Sequence, residues 1–409
     1  MNKFLKEFKD RGFFYQCTSE EELSKLLDLE KIKGYIGFDC TAESLHVGSL
    51  LQIMCLRLLQ KHGHRPIVLL GGGTTRIGDP SGKDKTRTIL SEEVIEKNIK
   101  NIEKILKKFL DIKNPKTKPI FVNNYSWLKG LNYISFLRDI GKHFTINKML
   151  SFDSVKTRLE REQSLSYMEF NYMILQAYDF LELNKKENCC LQIGGSDQWG
   201  NIVNGVELIK RYSNKHAYGL TTPLITLASG AKMGKTESGA IWLDEKFLSS
   251  YDYWQFWRNT DDRDVVKFLK VFTDLEINEI NNLQNNDINE LKVLLANKAT
   301  AMLHGEKAAK NSSQAAREAF SGNTLGANLP SVKIKSKDLN KQMSIIDLII
   351  LSKLENSKSE IRRLFKGNAI KINDELINDE KLIIKNEQFN KNYLKLSIGK
   401  KRHIKIELI

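Results

Sequence analysis

Cysteine is scarce in this chain and poorly placed for cross-linking. The five residues, at positions 17, 40, 55, 189 and 190, are odd in number and show no C-x-x-C spacing. That argues against a disulfide framework and against a zinc site, and it points to a reducing cytoplasm. Long apolar runs are missing too, since no stretch approaches the ~20 residues that a bilayer crossing needs. The opening residues, Met1-Asn2-Lys3-Phe4-Leu5-Lys6-Glu7, lack the apolar centre of a signal peptide. A P-loop is absent as well. The glycine-rich run Gly71–Lys83 fails the pattern, because only three residues separate Gly78 from Gly82 and Asp84 follows Lys83.

What is present fits a soluble globular protein of two or three domains. The chain has 409 residues, 41% hydrophobic and 28% charged. Acidic residues are in deficit, with a formal net charge of +14. Residues 331–409 hold 18 Lys and Arg against 10 Asp and Glu, so more than half of the excess lies in the last fifth of the chain. A general lysine bias would spread it evenly. Uneven placement points to contact with nucleic acid.

The chain is organised around Gly34–Ser49, a short apolar strand, a polar turn and the start of a strongly apolar helix from about Leu50 to His62, with Gly63 as its stop. Free N–H groups and the positive end of a helix dipole favour phosphate at such a start. Gly48 lets a ligand approach the backbone, and His46 can donate to a phosphate oxygen. A histidine there also serves as an ordinary cap. Far downstream, Lys232-Met233-Gly234-Lys235-Thr236 sets two lysines around a small pair, a loop able to close over a polyphosphate.

Taken in order, residues 3–11 and 19–29 predict short helices, the second with a capping box from Thr18 or Ser19 and Glu22. Pro66–Leu70 predicts a strand buried on both faces, so strand, helix and strand form a βαβ unit of a parallel sheet. Ligands in such sheets sit beyond the carboxyl ends of the strands, where Tyr35–Asp39 and Gly71–Gly73 fall. A turn-rich loop follows, carrying Asp79 and then the basic run Lys83, Lys85 and Arg87. A helix over 91–110 capped by Ser91, a buried strand at Ile120–Val122, a helix over 126–140 and two helices within 151–182 come next. The last of these sets Tyr172, Gln176 and Asp179 on one face of an otherwise apolar helix. Three such groups need partners if buried, from a core network or from a ligand in a cleft. Strand Cys190–Gly195 leads into a helix begun by Ser196 and containing Asp197, Gln198 and Asn201, and Gly219–Leu227 is the final strand of this part.

Several separated stretches resemble one family together: Tyr35-x-Gly37-Phe38-Asp39-x-Thr41, His46-Val47-Gly48, Ile77-Gly78-Asp79-Pro80-Ser81-Gly82, Tyr172 to Asp179, Gln192 to Asn201, and Lys232 to Thr236. They are similar to the paired signatures of class I aminoacyl-tRNA synthetases, and most closely to the bacterial-type tyrosyl-tRNA synthetases. The resemblance runs along nearly the whole chain. It implies an α/β fold: a Rossmann-type parallel-sheet catalytic domain with a helical insertion over 1–243, a helical tRNA-binding domain over 244–325, a linker over 326–340 and an S4-like RNA-binding module over 341–409. In that module Lys358, Arg362, Arg363 and Lys366 share a helix face and can reach phosphates.

By the same resemblance, Tyr35 and Asp179 hold the phenolic hydroxyl of L-tyrosine, and Asp79, Tyr172 and Gln176 hold its ammonium group, with Gln198 nearby. Gly37, Asp39, His46, Gly48, Ser49, Gly195, Asp197 and Thr236 contact ATP. Thr41, His46, Lys83, Arg87, Lys232 and Lys235 stabilise phosphate charge during transfer, with Mg²⁺ accompanying ATP and no protein metal site. Partners implied are tRNA(Tyr) and a second copy of the chain, in the cytoplasm. Two departures stand out. Ser49 replaces the family's usual second histidine, and the lysine signature reads Lys-Met-Gly-Lys-Thr rather than Lys-Met-Ser-Lys-Ser. Three other readings share parts of the pattern: an adenylyltransferase acting on a small phosphorylated precursor, a tryptophanyl enzyme, and a non-catalytic RNA-binding relative. The Tyr35 and Asp179 pair suits a phenol, which both donates and accepts, better than an indole N–H.

Overall fold

A computed structural model of the chain describes residues 2–81, 90–230, 233–236, 239–321, 329, 331–339, 342–390, 392–399 and 402–409, without the side chains at 153, 154, 235, 236, 319–321 and 337. Six strands form one sheet: β1 (Gln16–Cys17), β2 (Lys33–Phe38), β3 (Arg65–Leu70), β4 (Ile120–Asn123), β5 (Cys189–Gly195) and β6 (Tyr218–Thr222). Their order is β1-β6-β5-β2-β3-β4. β2 to β6 pair in parallel, and β1 lies antiparallel against β6. From β2 the chain winds outward through β3 to β4, then returns to the other side of β2 for β5 and β6. The winding therefore reverses between β2 and β5. In doubly wound sheets that reversal opens a crevice at the carboxyl ends of the two strands.

The apolar runs explain this core. β3 is buried along five of its six residues and β6 along all five. The helix Leu50–Lys61 buries eight of its twelve residues, and it stops where Gly63 takes φ +79°. Ser91 caps the helix Glu92–Phe109 by accepting from Val94 N, as its sequence predicts.

Several local expectations are corrected. β4 is half-buried rather than buried, because it is the sheet's edge. The predicted helix over 126–140 is two, Tyr125–Leu128 and Tyr133–Asp139, restarted where the Asn132 side chain accepts from Ser135 N. Ser19 occupies the N-cap of Glu20–Leu29 but makes no side-chain cap bond, so the capping box is not formed. The expected loop after β3 begins as a helix, Gly72–Ile77. Its Gly73 N–H is satisfied at 2.7 Å by Asn124 Oδ1, a cap 51 residues away that no local pattern reveals. The final strand ends at Thr222 rather than 227, and strand β1 was not anticipated.

Further strands are β7 (Lys235–Thr236), β8 (Gly239–Ala240), β9 (Ser331–Ile334), β10 (Ile370–Ile372), β11 (Glu375–Leu376), β12 (Tyr393–Ile398) and β13 (Arg402–Leu408). By compactness the chain divides into Met1–Phe247 with Asp261–Leu291, and Leu248–Thr260 with Lys292–Ile409. The helical stretch expected as one domain, 244–325, thus contributes to both units. In the second unit β9 to β13 form a sheet of order β11-β10-β12-β13-β9. Part of the expected linker is therefore strand β9, parallel to β13; residues 322–328 and 330 lie outside the described ones. The helices Ile345–Leu351 and Lys358–Lys366 share this sheet's apolar core, through residues such as Ile345, Leu348, Ile361 and Phe365.

Candidate active site

The crevice at the β2 and β5 ends is a real cavity of about 340 Å³. Its lining includes Tyr35, Gly37, Asp39, Gly48, Ser49, Asp79, Tyr172, Gln176, Asp179, Gly195, Asp197 and Gln198. Twelve sequence-predicted residues, drawn from positions 35 to 198, therefore meet in one place.

At the closed end, Tyr35 is 1% exposed and Asp179 2%. Asp179 Oδ1 accepts from Trp127 Nε1 at 2.8 Å and Oδ2 accepts from Asn124 Nδ2 at 2.9 Å. The Tyr35 hydroxyl is buried with no hydrogen-bond partner among the described residues. A buried orphan hydroxyl is unfavourable by about 1–3 kcal/mol, which a ligand group placed there can recover. Burial pushes the Tyr35 phenol well above its ordinary range, and the charge of nearby Asp179 pushes the same way. Burial also pushes Asp179 up, to about 7, with the Asn124 and Trp127 bonds pulling the other way.

That shift has a consequence for stability. The folded chain holds the Asp179 proton to higher pH than the unfolded chain does, so its contribution is complete below the ordinary carboxylate pKa and is lost as pH rises towards 7. Relative to Asp179→Asn, the parent's urea-unfolding free energy should fall by about 2–3 kcal/mol between pH 5 and pH 8. A pH-independent difference would mean that the carboxyl titrates normally.

Nearer the mouth, the polar groups are tied to one another. The Tyr172 hydroxyl donates to Asp39 Oδ2 at 3.0 Å, and Thr74 Oγ1 donates to Asp39 Oδ1 at 2.8 Å. Gln198 Nε2 donates to Asp79 Oδ2 at 2.9 Å, while Ser81 N donates to Asp79 Oδ1 at 2.9 Å. Asn124 Nδ2 reaches both Thr74 Oγ1, at 3.1 Å, and Asp179. Tyr172, Asp39, Thr74 and Asn124 thus form a network that leads to Asp179 at the closed end. Asp39, Asp79, Asp179 and Asp197 all line the cavity, a concentration of carboxylates suited to a cationic group. Sequence reasoning missed Thr74, Asn124 and Trp127. None sits in a strong local pattern, and their roles arise only when β3, β4 and the helix Tyr167–Glu187 come together.

The two phosphate signatures also meet. His46 Nδ1 accepts from Gly48 N at 3.0 Å, so the histidine does act as a cap, which leaves the ring proton on Nε2. Its chain continues into a 3₁₀ turn, Val47–Ser49, and then the long helix. Val47 N donates to Ile241 O, and His46 pairs with Trp242. A Cβ on Gly234 would sit 2.8 Å from His46 Nδ1 and 3.0 Å from Gly48 N, and this residue has φ +105°. Gly234→Ala should therefore separate the two signatures and lower adenylate formation by about 10-fold or more, leaving the KM for the amino acid unchanged. Unaltered pyrophosphate exchange would contradict this contact.

Thr41 is exposed and does not line the cavity. Lys83, Arg87 and Lys232 lie outside the described residues, as do the side chains of Lys235 and Thr236. In the second unit, Lys358, Arg362, Arg363 and Lys366 are all exposed on one helix, opposite buried Ile361 and Phe365. Arg363 pairs with Glu360 at 3.2 Å and Arg362 with Glu380 at 3.7 Å. Exposed pairs of this kind contribute little and can exchange for phosphate.

Known proteins resemble the chain along its whole length. Residues 28–321 match the family model of class I tRNA synthetases (W and Y), and residues 321–406 match the C-terminal domain of the SYY-like tyrosine–tRNA ligases. A tyrosine–tRNA ligase of Pelagibacter ubique is 79% identical over the whole of both chains. One of Rickettsia massiliae is 52% identical, covering 99% of this chain and 100% of its own. Among solved structures, the C-terminally truncated mitochondrial tyrosyl-tRNA synthetase of Aspergillus nidulans superimposes with a TM-score of 0.69 at 32% identity, over 77% of this chain and 93% of that one. The chain belongs to the class I tRNA synthetases of the tryptophan and tyrosine family.

Proposed function

We infer that the cavity takes L-tyrosine with its phenol at the closed end and ATP at the mouth. The chain is a tyrosine–tRNA ligase: it joins tyrosine to AMP, releasing pyrophosphate, and then transfers the tyrosyl group to the 3′ end of tRNA. The observation that carries the placement is the buried Tyr35 hydroxyl, which lies near Asp179 and has no hydrogen-bond partner among the described residues. A substrate phenol can accept from Tyr35 and donate to Asp179 at once. Phenylalanine leaves both unpaired, and the ~10⁵-fold rejection of phenylalanine established for this same enzyme family sets the scale. Asp79, Tyr172 and Gln176 face the ammonium group in this arrangement, and Gln198 fixes Asp79.

The tyrosine carboxylate is already an anion and needs no general base. It attacks the α-phosphorus of ATP, which enters as its Mg²⁺ complex, and pyrophosphate leaves in line. Catalysis is then positioning and charge stabilisation. His46 Nε2–H and Thr41 donate to phosphate oxygens and Lys83, Arg87, Lys232 and Lys235 neutralise phosphate charge, while Gly37, Asp39, Gly48, Ser49, Gly195, Asp197 and Thr236 seat the nucleotide. In the second step a terminal ribose hydroxyl of tRNA attacks the mixed anhydride and releases AMP. The cations of the helix Lys358–Lys366 bind tRNA phosphates, the helical stretch 244–325 contributes further tRNA contacts, and the enzyme works as a homodimer in the cytoplasm.

Amino-acid-dependent ATP–pyrophosphate exchange, run with all twenty amino acids, tests the reading. Exchange should respond to tyrosine alone. A response to tryptophan would move the chain to the tryptophanyl branch, and exchange with no amino-acid dependence would point to an adenylyltransferase.

A further inference from the structure

The helix Val265–Phe272 begins at Asp264, which occupies its N-cap and is 5% exposed. A carboxylate in that place ordinarily accepts from the helix's own first N–H groups. Asp264 makes no such bond. Its Oδ2 instead accepts from Ala228 N at 2.7 Å, 36 residues back along the chain. From the first turn of the helix, Lys267 Nζ donates to Thr226 O at 3.1 Å. Both contacts fall on the arm that leads from β6 into the lysine signature, shortly before Lys232. Leu227 O accepts from Gly230 N at 2.8 Å to close a turn there, and Met233 N donates back to Ile225 O at 3.1 Å.

The other end of the same helix is also held. Arg11, 4% exposed, donates from Nη1 to Lys270 O and Thr273 O and from Nη2 to Leu275 O, at 2.8, 3.0 and 2.9 Å. A guanidinium on the final carbonyls fixes a helix end and suits its dipole. Val265, Phe268, Leu269 and Phe272 are buried along the length between. The helix is therefore a short strut, clamped by Arg11 at its end and offering a buried acceptor to the lysine arm at its start.

Resting on the reading that Lys232 and Lys235 neutralise phosphate charge, we propose that Asp264 is a positioning residue for adenylate formation. It does not line the cavity. It acts by fixing the Ala228 amide, and through it the path of the arm that leads to the two lysines. Asp264 is the stronger anchor of the two contacts. Its bond is short, made by a carboxylate and buried, so water does not replace it, whereas the Lys267 contact is exposed and water competes for it. Placement matters because the lysines act as point charges on a leaving pyrophosphate, and a displacement of about 1 Å can cost ~10²-fold in rate.

The test is pyrophosphate exchange by Asp264→Ala. Its kcat should fall about 10- to 50-fold, with the KM values for ATP and tyrosine within about threefold of the parent. Asp264→Asn keeps an oxygen for the Ala228 amide and should recover kcat to within about threefold of the parent. Single-turnover transfer from preformed tyrosyl-adenylate to tRNA should change by less than about twofold in Asp264→Ala, since pyrophosphate has already left. A double-mutant cycle separates a route through the arm from a general effect: in a Lys232→Ala background, Asp264→Ala should lower kcat by less than about threefold more. An unchanged kcat in Asp264→Ala, equal losses in activation and transfer, or full additivity with Lys232→Ala overturns the positioning role. Undiminished kcat in Lys232→Ala is a different result, and it would overturn the phosphate reading of the lysines itself.

Discussion

Asp179→Ala is expected to lower kcat/KM for tyrosine in pyrophosphate exchange by about 10³-fold or more, while changing the KM for ATP by less than about threefold. The asymmetry follows from position. Asp179 lies at the closed end, 2% exposed, where no water replaces a missing acceptor. Truncation removes the acceptor for the substrate phenol and takes a partner from the Trp127 indole N–H and from the Asn124 amide. Each unsatisfied buried group is unfavourable by about 1–3 kcal/mol, so two or three together reach the expected loss. Phenylalanine, which never used the acceptor, should be affected far less, and the discrimination between the two amino acids should largely collapse. Equal losses in tyrosine and ATP parameters would count against the assigned role. Asn124→Ala is a milder companion. It breaks the bonds to Asp179 and Thr74 together and should lower tyrosine kcat/KM by about 10-fold, read in the same assay.

Removing residues 331–409 should leave adenylate formation within about twofold of the parent and reduce tRNA charging by about 10²-fold or more. That segment begins at β9 and takes away the whole five-stranded sheet with the helices that share its core, so no half-sheet is left exposed. Among the described residues, none of this segment lines the cavity. Its cations supply sequence-independent affinity that weakens with salt, each phosphate contact adding roughly 0.7–0.9 to the slope of log affinity against log salt. A subtler version keeps the fold. Reversing Arg362 and Lys366 to glutamate should flatten that slope by about two contacts. Unimpaired charging by the truncated chain would remove the RNA role of this module.

Most of the catalytic fold is legible in the sequence because the parallel strands are continuous apolar runs and the first βαβ unit has an unambiguous period. Tyr172, Gln176 and Asp179 stand out because polar groups on an otherwise apolar helix need a reason, whereas Tyr35, Asp39 and Asp79 stand out through the resemblance of their stretches to the family's signatures. Asp264 and Asn124 do not stand out. The first reads as one more carboxylate in an acidic turn, and its meaning depends on a backbone amide 36 positions away. The second caps a short helix and holds a carboxylate from an edge strand's end, so only the assembled sheet reveals it. The helix Gly72–Ile77 was hidden for the same reason, since glycine-rich sequence reads as loop until a remote side chain satisfies its first N–H groups. The histidine of the first signature is a cap, its Nδ1 accepting from Gly48 N, and the proposed phosphate contact therefore falls to Nε2.

The grip on the substrate's far end carries the rest of the account, and a crystal structure of the full chain soaked with L-tyrosine tests it most directly. The phenol oxygen should lie within about 3.2 Å of both Tyr35 Oη and an Asp179 carboxylate oxygen, with the ammonium group against Asp79. A tyrosine bound the other way round, with its ammonium group on Asp179, would contradict it.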